Sequence, residues 1–331
     1  MSERSESITG FLISSGWADA TRTTITGDAS NRRYERLRKP DGQIGILMDA
    51  PVETNGPIKQ FIDVSNWLRQ QGLSAPTCHA VDHNGGLAVF EDFGANIVAG
   101  LADQDPAREL DLYRTTLDVL LHLGNCTPMS ELLEFTPEHA AGICNIAFEQ
   151  YGRFHPATHG HQDLTLAVLQ GLLEHHAPET NTVALRDFHA ENLIWLPDRN
   201  GIRSIGLLDF QDAVVAHPAY DLVSLLTDVR REVAPETKAA LVEKFVHATG
   251  RSMDAFGPTF AVMSLQRNLR ILGVFARLAL ENSKASYLEL IPRVWRHIDE
   301  AIQHPMLAEI EPLVRNGLPV PTKDTLAGFR V

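Results

Sequence analysis

Three polar residues in the second half of the chain have the types and spacing for chemistry. Asp187, Asn192 and Asp209 lie within Leu185-Arg-Asp-Phe-His-Ala-Glu-Asn-Leu-Ile-Trp195 and Ile205-Gly-Leu-Leu-Asp-Phe-Gln-Asp212. Short aliphatic runs flank them: Val183 to Leu185, Leu193 to Leu196, and Ile205 to Leu208. Each run is bounded by polar or turn residues, as expected of a buried strand. Side chains at strand ends are held by a rigid scaffold and are easily aimed at one point. A carboxylate so placed orients an attacking hydroxyl and accepts its proton. An amide a few residues later and a second carboxylate on the next strand end hold metal against nucleotide phosphates. The set therefore suits phosphoryl transfer. Taken singly, Asp187 and Asn192 read equally well as turn caps. A zinc site on His189 lacks a partner His or Cys at ligand spacing.

The D-x-x-x-x-N then D-F spacing matches the protein-kinase pattern of catalytic-loop Asp, metal-binding Asn and metal-binding Asp. Gln211 stands where that pattern closes on Gly. The form R-D-F-H-x-x-N followed by L-D-F-x-D resembles the aminoglycoside phosphotransferase and small-molecule kinase branch of the superfamily. The resemblance implies that Asp187 is the catalytic base, that Asn192 and Asp209 hold Mg²⁺, and that His189 braces their loop. It implies ATP as phosphoryl donor, and it makes Asp221 the residue that ties the following helix to the catalytic loop. Asp221 also reads simply as an acid in a first helical turn.

The superfamily often places a phosphate-binding Lys on the third strand. Ile46-Leu-Met-Asp-Ala-Pro51 has none, so Arg32 or Arg33 is expected to supply the positive charge. Gly27-Asp-Ala-Ser-Asn31 precedes them. In the kinase reading this loop covers the phosphates, with Ser30 and Asn31 as contacts through backbone N–H and hydroxyl groups; read alone, it is a hairpin turn. The kinase resemblance also implies that Phe90, Glu91 and Phe93 fall in the hinge between lobes, where backbone groups meet adenine. G-D-A-S-x-R-R-Y over 27–34 and L-M-D-A-P over 47–51 together resemble the bacterial anomeric amino-sugar kinases. Members of that subgroup phosphorylate N-acetylmuramate and N-acetylglucosamine at the anomeric hydroxyl. Two other readings stay open: an aminoglycoside or other small-alcohol kinase, and a non-catalytic nucleotide-binding pseudokinase. The second draws on the missing Lys and on Leu185 where the family usually has His.

Composition sets the bounds. A chain of 331 residues exceeds what one core usually serves, which favours two domains. A hydrophobic content of 44% fits a globular protein, and no apolar run is long enough to span a bilayer. The polar start, Met1 to Thr9, has no signal-peptide core, so a cytoplasmic location is expected. Cys78, Cys126 and Cys144 are odd in number and far apart, as for reduced thiols. A net charge of −13 argues against nucleic acid as a partner. A small-molecule sugar or amino sugar is the expected acceptor.

The elements that must position these residues follow from pattern. Helix is expected over 7–15 and strands over 21–26, 32–38 and 43–48, with helix again over 57–71. Strands follow over 77–82 and 87–91. Helices are expected over 109–123, 137–151 and 164–176, and the stretch holding His155, His159 and His161 reads as a polar connector. Further helices are expected from 217 to about 231 and over 236–249, 258–282 and 293–303, with a loosely held tail after Pro319. Arg267 and Asn268 either face a sugar or lie on a solvated or ion-paired surface. The expected fold is α+β, a two-lobed kinase-like protein. Residues 1–93 form a small mixed-sheet lobe for nucleotide, and 94–331 form a mostly helical lobe for catalysis and acceptor.

Overall fold

The computed structural model describes residues 3–25, 32–281 and 284–329. Contacts divide the chain into two compact units, Met1–Pro106 with Glu191–Asp212, and Ala107–Ala190 with Ala213–Val331. The division expected at 93/94 therefore moves, and the segment that carries Asn192 and Asp209 belongs to the first unit. Hydrogen bonds explain the move. Leu207 N donates to Ser74 O (2.8 Å), Ser74 Oγ to Arg203 O (2.7 Å), and Trp195 N to Asn96 O (2.7 Å).

Nine strands are present among the described residues. In the first unit, β1 (Thr21–Ile25), β2 (Arg33–Arg38), β3 (Ile44–Asp49), β4 (Cys78–Asp82) and β5 (Leu87–Glu91) form one sheet of order β1-β2-β3-β5-β4. Every pairing in it is antiparallel. This corrects the mixed sheet expected from sequence: β5 turns back from β4 and lies between it and β3, so no two parallel strands are neighbours. β6 (Thr182–Ala184) pairs with β9 (Val214–Ala216) in the second unit, and β7 (Leu193–Trp195) with β8 (Ile205–Leu207) in the first.

One face of the sheet is closed by the helix Glu3–Ser14. Its Ile8, Phe11 and Leu12 cluster with Trp17, Leu37, Leu47, Leu87 and Val89. Gly45 is required there, because a Cβ would lie 2.8 Å from the Trp17 ring. The helix Lys59–Gln70 buries Phe61, Ile62, Val64 and Leu68, the apolar stripe its sequence spells out at helical spacing. Its Asp63 pairs with Lys59 at the surface (2.5 Å).

The second unit is mostly helical. Helices cover Glu109–Leu123, Pro137–Gly142, Thr158–His176, Tyr220–Leu226, Pro235–Ala248, Met253–Glu281 and Ile291–Ile302. Several expectations are corrected here. The helix expected over 137–151 breaks after Gly142 and resumes as a π-helical turn, Ala147–Tyr151. That wider turn lies against Gly273 of the long helix, where a Cβ would come 2.4 Å from the Ile146 carbonyl. His159 and His161 belong to helix, not to a connector, because Thr158 is buried and donates to Gly152 O and Gly317 O (2.8 Å each). The helix after Pro218 is shorter than expected and ends at Leu226. The long helix starts five residues before Pro258, capped by Ser252 Oγ on Ala255 N (3.2 Å). The tail is docked: Phe329 is buried and stacks on Tyr151 (5.5 Å, 7°), whose hydroxyl donates to Pro319 O (2.9 Å). Among the described residues no helix is long and apolar enough to cross a membrane.

Candidate active site

Asp187 sits just after a turn that the backbone does not adopt freely. Arg186 has φ 70°, the left-handed region, and Asp187 N donates to Leu185 O (2.9 Å) around it. A β-carbon in that region carries strain, which persists only where surroundings over-determine it. Four bonds do so. The carboxylate of Asp221 accepts from Leu185 N (2.6 Å) and Arg186 N (3.0 Å). The Arg186 carbonyl accepts from Ser224 Oγ (3.2 Å) and from an Arg267 guanidinium N–H (2.8 Å). Asp221 and Ser224 are three residues apart on Tyr220–Leu226, a helix buried on every side, so both side chains reach the same turn. Asp221 thus has the tying role the resemblance implied for it.

The loop continues through Phe188, buried, and His189, whose N–H donates to Asp187 O (3.1 Å). His189 is buried, and burial together with Arg230 and Arg267 holds its pKa well below the usual histidine range. It is neutral, and its Nε2 lies 3.2 Å from the Arg230 guanidinium. Burial pushes the Asp221 carboxyl up to about 7, opposed by its two backbone donors and Arg267.

Asn192 and Asp209 belong to the first unit and are placed by the β7–β8 hairpin. Leu193 pairs with Leu207, and Leu208 N donates to Asn192 O (3.0 Å), so the two residues flank the last rung of one ladder. Asn192 Nδ2 lies 3.4 Å from Asp209 Oδ2, and Gln211 Nε2 donates to Asp209 Oδ1 (2.9 Å). Asp209 itself has φ 57°. The next residue anchors this turn: Phe210 is fully buried and stacks on Phe61 (4.7 Å), which meets Phe90 edge-on (4.9 Å). A carboxylate and a carboxamide on a solvent-accessible hairpin end form a hard oxygen donor pair that suits Mg²⁺. Among the described residues no cluster of three His, Cys, Asp or Glu side chains offers a rival metal site.

The expected nucleotide contacts fare differently. Ser30 and Asn31 lie outside the described residues. Arg33 pairs with Asp49 across β2 and β3 (3.1 Å), and Asp49 also accepts from Arg4 (2.9 Å). The charge of Arg32 is felt at the Tyr34 hydroxyl, as is that of Asp209; burial raises that hydroxyl and Arg32 opposes the rise. Of the two arginines, Arg32 is the one associated with the Asp209 end of this unit. Phe90 is buried in the aromatic stack. The Glu91 N–H donates to Thr77 O (2.8 Å), and its carboxylate accepts from Thr77 and Arg199. Glu91 is thereby committed to bracing β5. Phe93 is half-buried beneath the Arg199 guanidinium (5.1 Å). In the second unit, Arg267 is only 6% exposed and Asn268 is fully buried, bonding to Ser264 O (2.9 Å), so the solvated face considered for them is excluded.

Sequence reasoning missed the clamp on the Arg186 turn. Ser224 had a usable signal, its three-residue spacing from Asp221. Arg267 had none, because its partner is a backbone carbonyl far away in sequence.

A family model described as "phosphotransferase enzyme family" matches residues 21–257. An N-acetylmuramate/N-acetylglucosamine kinase of Caulobacter vibrioides is 34% identical, the match covering 97% of this chain and 99% of that protein. Among solved structures, a choline kinase from Streptococcus pneumoniae has a TM-score of 0.66 at 12% identity, covering 90% of this chain and 100% of the other. An amicoumacin kinase in complex with AMP-PNP and Ca²⁺ has a TM-score of 0.59 at 15% identity, covering 91% and 97%. These structures share the kinase-like fold expected from the sequence. With a family model spanning most of its length and a relative one-third identical from end to end, the chain belongs to the phosphotransferase enzyme family.

Proposed function

We propose that this protein transfers the γ-phosphoryl group of ATP to the anomeric hydroxyl of N-acetylmuramate or N-acetylglucosamine. The observation that carries the reading is 34% identity, over nearly the full length of both chains, to an N-acetylmuramate/N-acetylglucosamine kinase, in a chain that carries Asp187, Asn192 and Asp209. In this reading Asp187, fixed by the clamped turn before it, orients the sugar hydroxyl and accepts its proton. Phosphoryl transfer proceeds through a loose transition state, so proton removal comes late and the demand on the base is modest. An anomeric hydroxyl is more acidic than an ordinary alcohol, which lowers that demand further. Neutral His189 holds the loop without adding charge beside the base.

Asn192 and Asp209 would hold Mg²⁺, which when bound neutralises charge on the nucleotide phosphates. Arg32 supplies positive charge in place of the absent strand Lys, since Arg33 is paired with Asp49. The amicoumacin kinase complex with AMP-PNP supports an adenine nucleotide as donor. A coupled ADP-release assay across N-acetylmuramate, N-acetylglucosamine and aminoglycosides tests the reading. Release with the two sugars is expected, and release with aminoglycosides alone would overturn it.

A further inference from the structure

Three guanidinium groups stand beside the turn before Asp187: Arg186, Arg267 and Arg270. The charges of Asp221 and Asp228 act with Arg267, and that of Asp187 acts on Arg270. Arg267 and Arg270 are three residues apart on Met253–Glu281 and so share a face of that helix. Arg267 is 6% exposed, its donor to the Arg186 carbonyl fixes the rotation of the helix, and its Nε has no hydrogen-bond partner. Arg186 lies over the Phe135 ring (5.5 Å), and its Nε is likewise buried without a partner. Among the described residues, neither Arg186 nor Arg270 has a carboxylate within ion-pair distance. Acids on the long helix stand only at its ends, Asp254 and Glu281.

Buried arginines are normally paired, as Arg267 is with the Arg186 carbonyl; Arg186 and Arg270 are half-buried, so their guanidinium groups keep part of their surface open to a ligand. Here the groups acting on Arg270 are Arg186 and Arg267, which oppose its charge, and Tyr220 and Asp187, which favour it. Burial is the largest influence, and with Arg186 it lowers the pKa of Arg270. Asp187 is the neighbouring carboxylate, and it is the proposed base. Arg186 and Arg270, with no carboxylate at ion-pair distance, therefore leave room for a negative charge beside the residue proposed to meet the acceptor hydroxyl.

We propose that Arg270, together with Arg186, binds an anionic substituent of the acceptor: the carboxylate that N-acetylmuramate carries and N-acetylglucosamine lacks. This rests on the acceptor reading above and deepens it. A guanidinium presents a planar pair of donors that matches a carboxylate, and Arg186 held over Phe135 is already ordered for it.

The test compares kcat/KM for N-acetylmuramate, its uncharged methyl ester and N-acetylglucosamine. The wild-type protein should prefer N-acetylmuramate to the ester by roughly 10–100-fold, the size of a lost hydrogen bond to a charged group. Arg270→Gln should lower the N-acetylmuramate to N-acetylglucosamine ratio by a similar factor, and Arg270→Lys should restore part of it. The ester arm needs no variant, so a folding defect in Arg270→Gln leaves the inference testable. Equal use of acid and ester by the wild type would overturn it. So would an unchanged sugar ratio in Arg270→Gln, or a raised KM for ATP with both sugars falling in step, which would place the anion on the transferred phosphoryl group. Failure of the wild type to phosphorylate either sugar is a separate outcome; it would remove the acceptor reading and this inference with it.

Discussion

At the scale of single residues, two carboxylates meet the same turn, one following it and one reaching it from a helix, and are held for opposite ends. Asp187 is presented by a turn, and Asp221 is buried so that the turn can exist. Asp187→Asn keeps the shape of the side chain and removes the proposed base. Turnover should fall by about 10²–10⁴-fold while nucleotide affinity, read by calorimetry, stays near the wild-type value. Near-full activity would show that another group takes the proton. Asp209→Asn should weaken Mg²⁺-dependent nucleotide binding as well as turnover. For Asp221, burial raises the folded-state pKa from 3.8 to about 7. A raised carboxyl favours the folded state below the unfolded value, and that contribution is lost as pH rises through the folded one. The stability difference between wild type and Asp221→Asn should therefore shrink between about pH 4 and pH 7, as followed by Tm. A difference that grows over this range would mean that the two backbone donors outweigh burial and keep the carboxylate ionised. Asp187, Asn192 and Asp209 were singled out by their spacing, and Asn192 and Asp209 do share one hairpin end. The strain at Arg186 was not legible in the sequence, because it is imposed by Asp221, Ser224 and Arg267, none of them local.

At the scale of elements, strands were readable where turn signals bracket an apolar run. Leu87–Glu91, after Asn84-Gly-Gly86, was found to the residue, and Ile44–Asp49 to within one. Helix limits slipped where a distant contact decides them. Thr158 starts its helix early by bonding to Gly317 O, and the 137–151 segment yields where Gly273 comes against it. The tail was misread because one Phe in a polar stretch gives no periodic signal, yet Phe329 fills a slot beside Tyr151 and Phe154. Phe329→Ala should lower unfolding stability by about 3–5 kcal/mol, the usual cost of emptying a buried aromatic site. Denaturant midpoints would measure it, and a loss below about 1 kcal/mol, no more than a surface substitution costs, would mean that the tail is not part of the core.

At the scale of the whole molecule, the expected fold class holds while the division of the chain does not. Residues 94–106 and the β7–β8 hairpin join the first unit through backbone bonds at Ser74 and Asn96, and backbone groups carry no side-chain code for a reader of sequence. The choice of acceptor is a property of the assembled protein, and it is the central claim. Phosphorus NMR of a reaction containing the protein, Mg²⁺, ATP and either N-acetylmuramate or N-acetylglucosamine addresses it directly. The account predicts a sugar 1-phosphate resonance that grows as the ATP γ signal declines, and that is absent with Asp187→Asn. ATP consumption with the phosphate on another hydroxyl, or phosphorylated aminoglycoside in place of any sugar 1-phosphate, would contradict it.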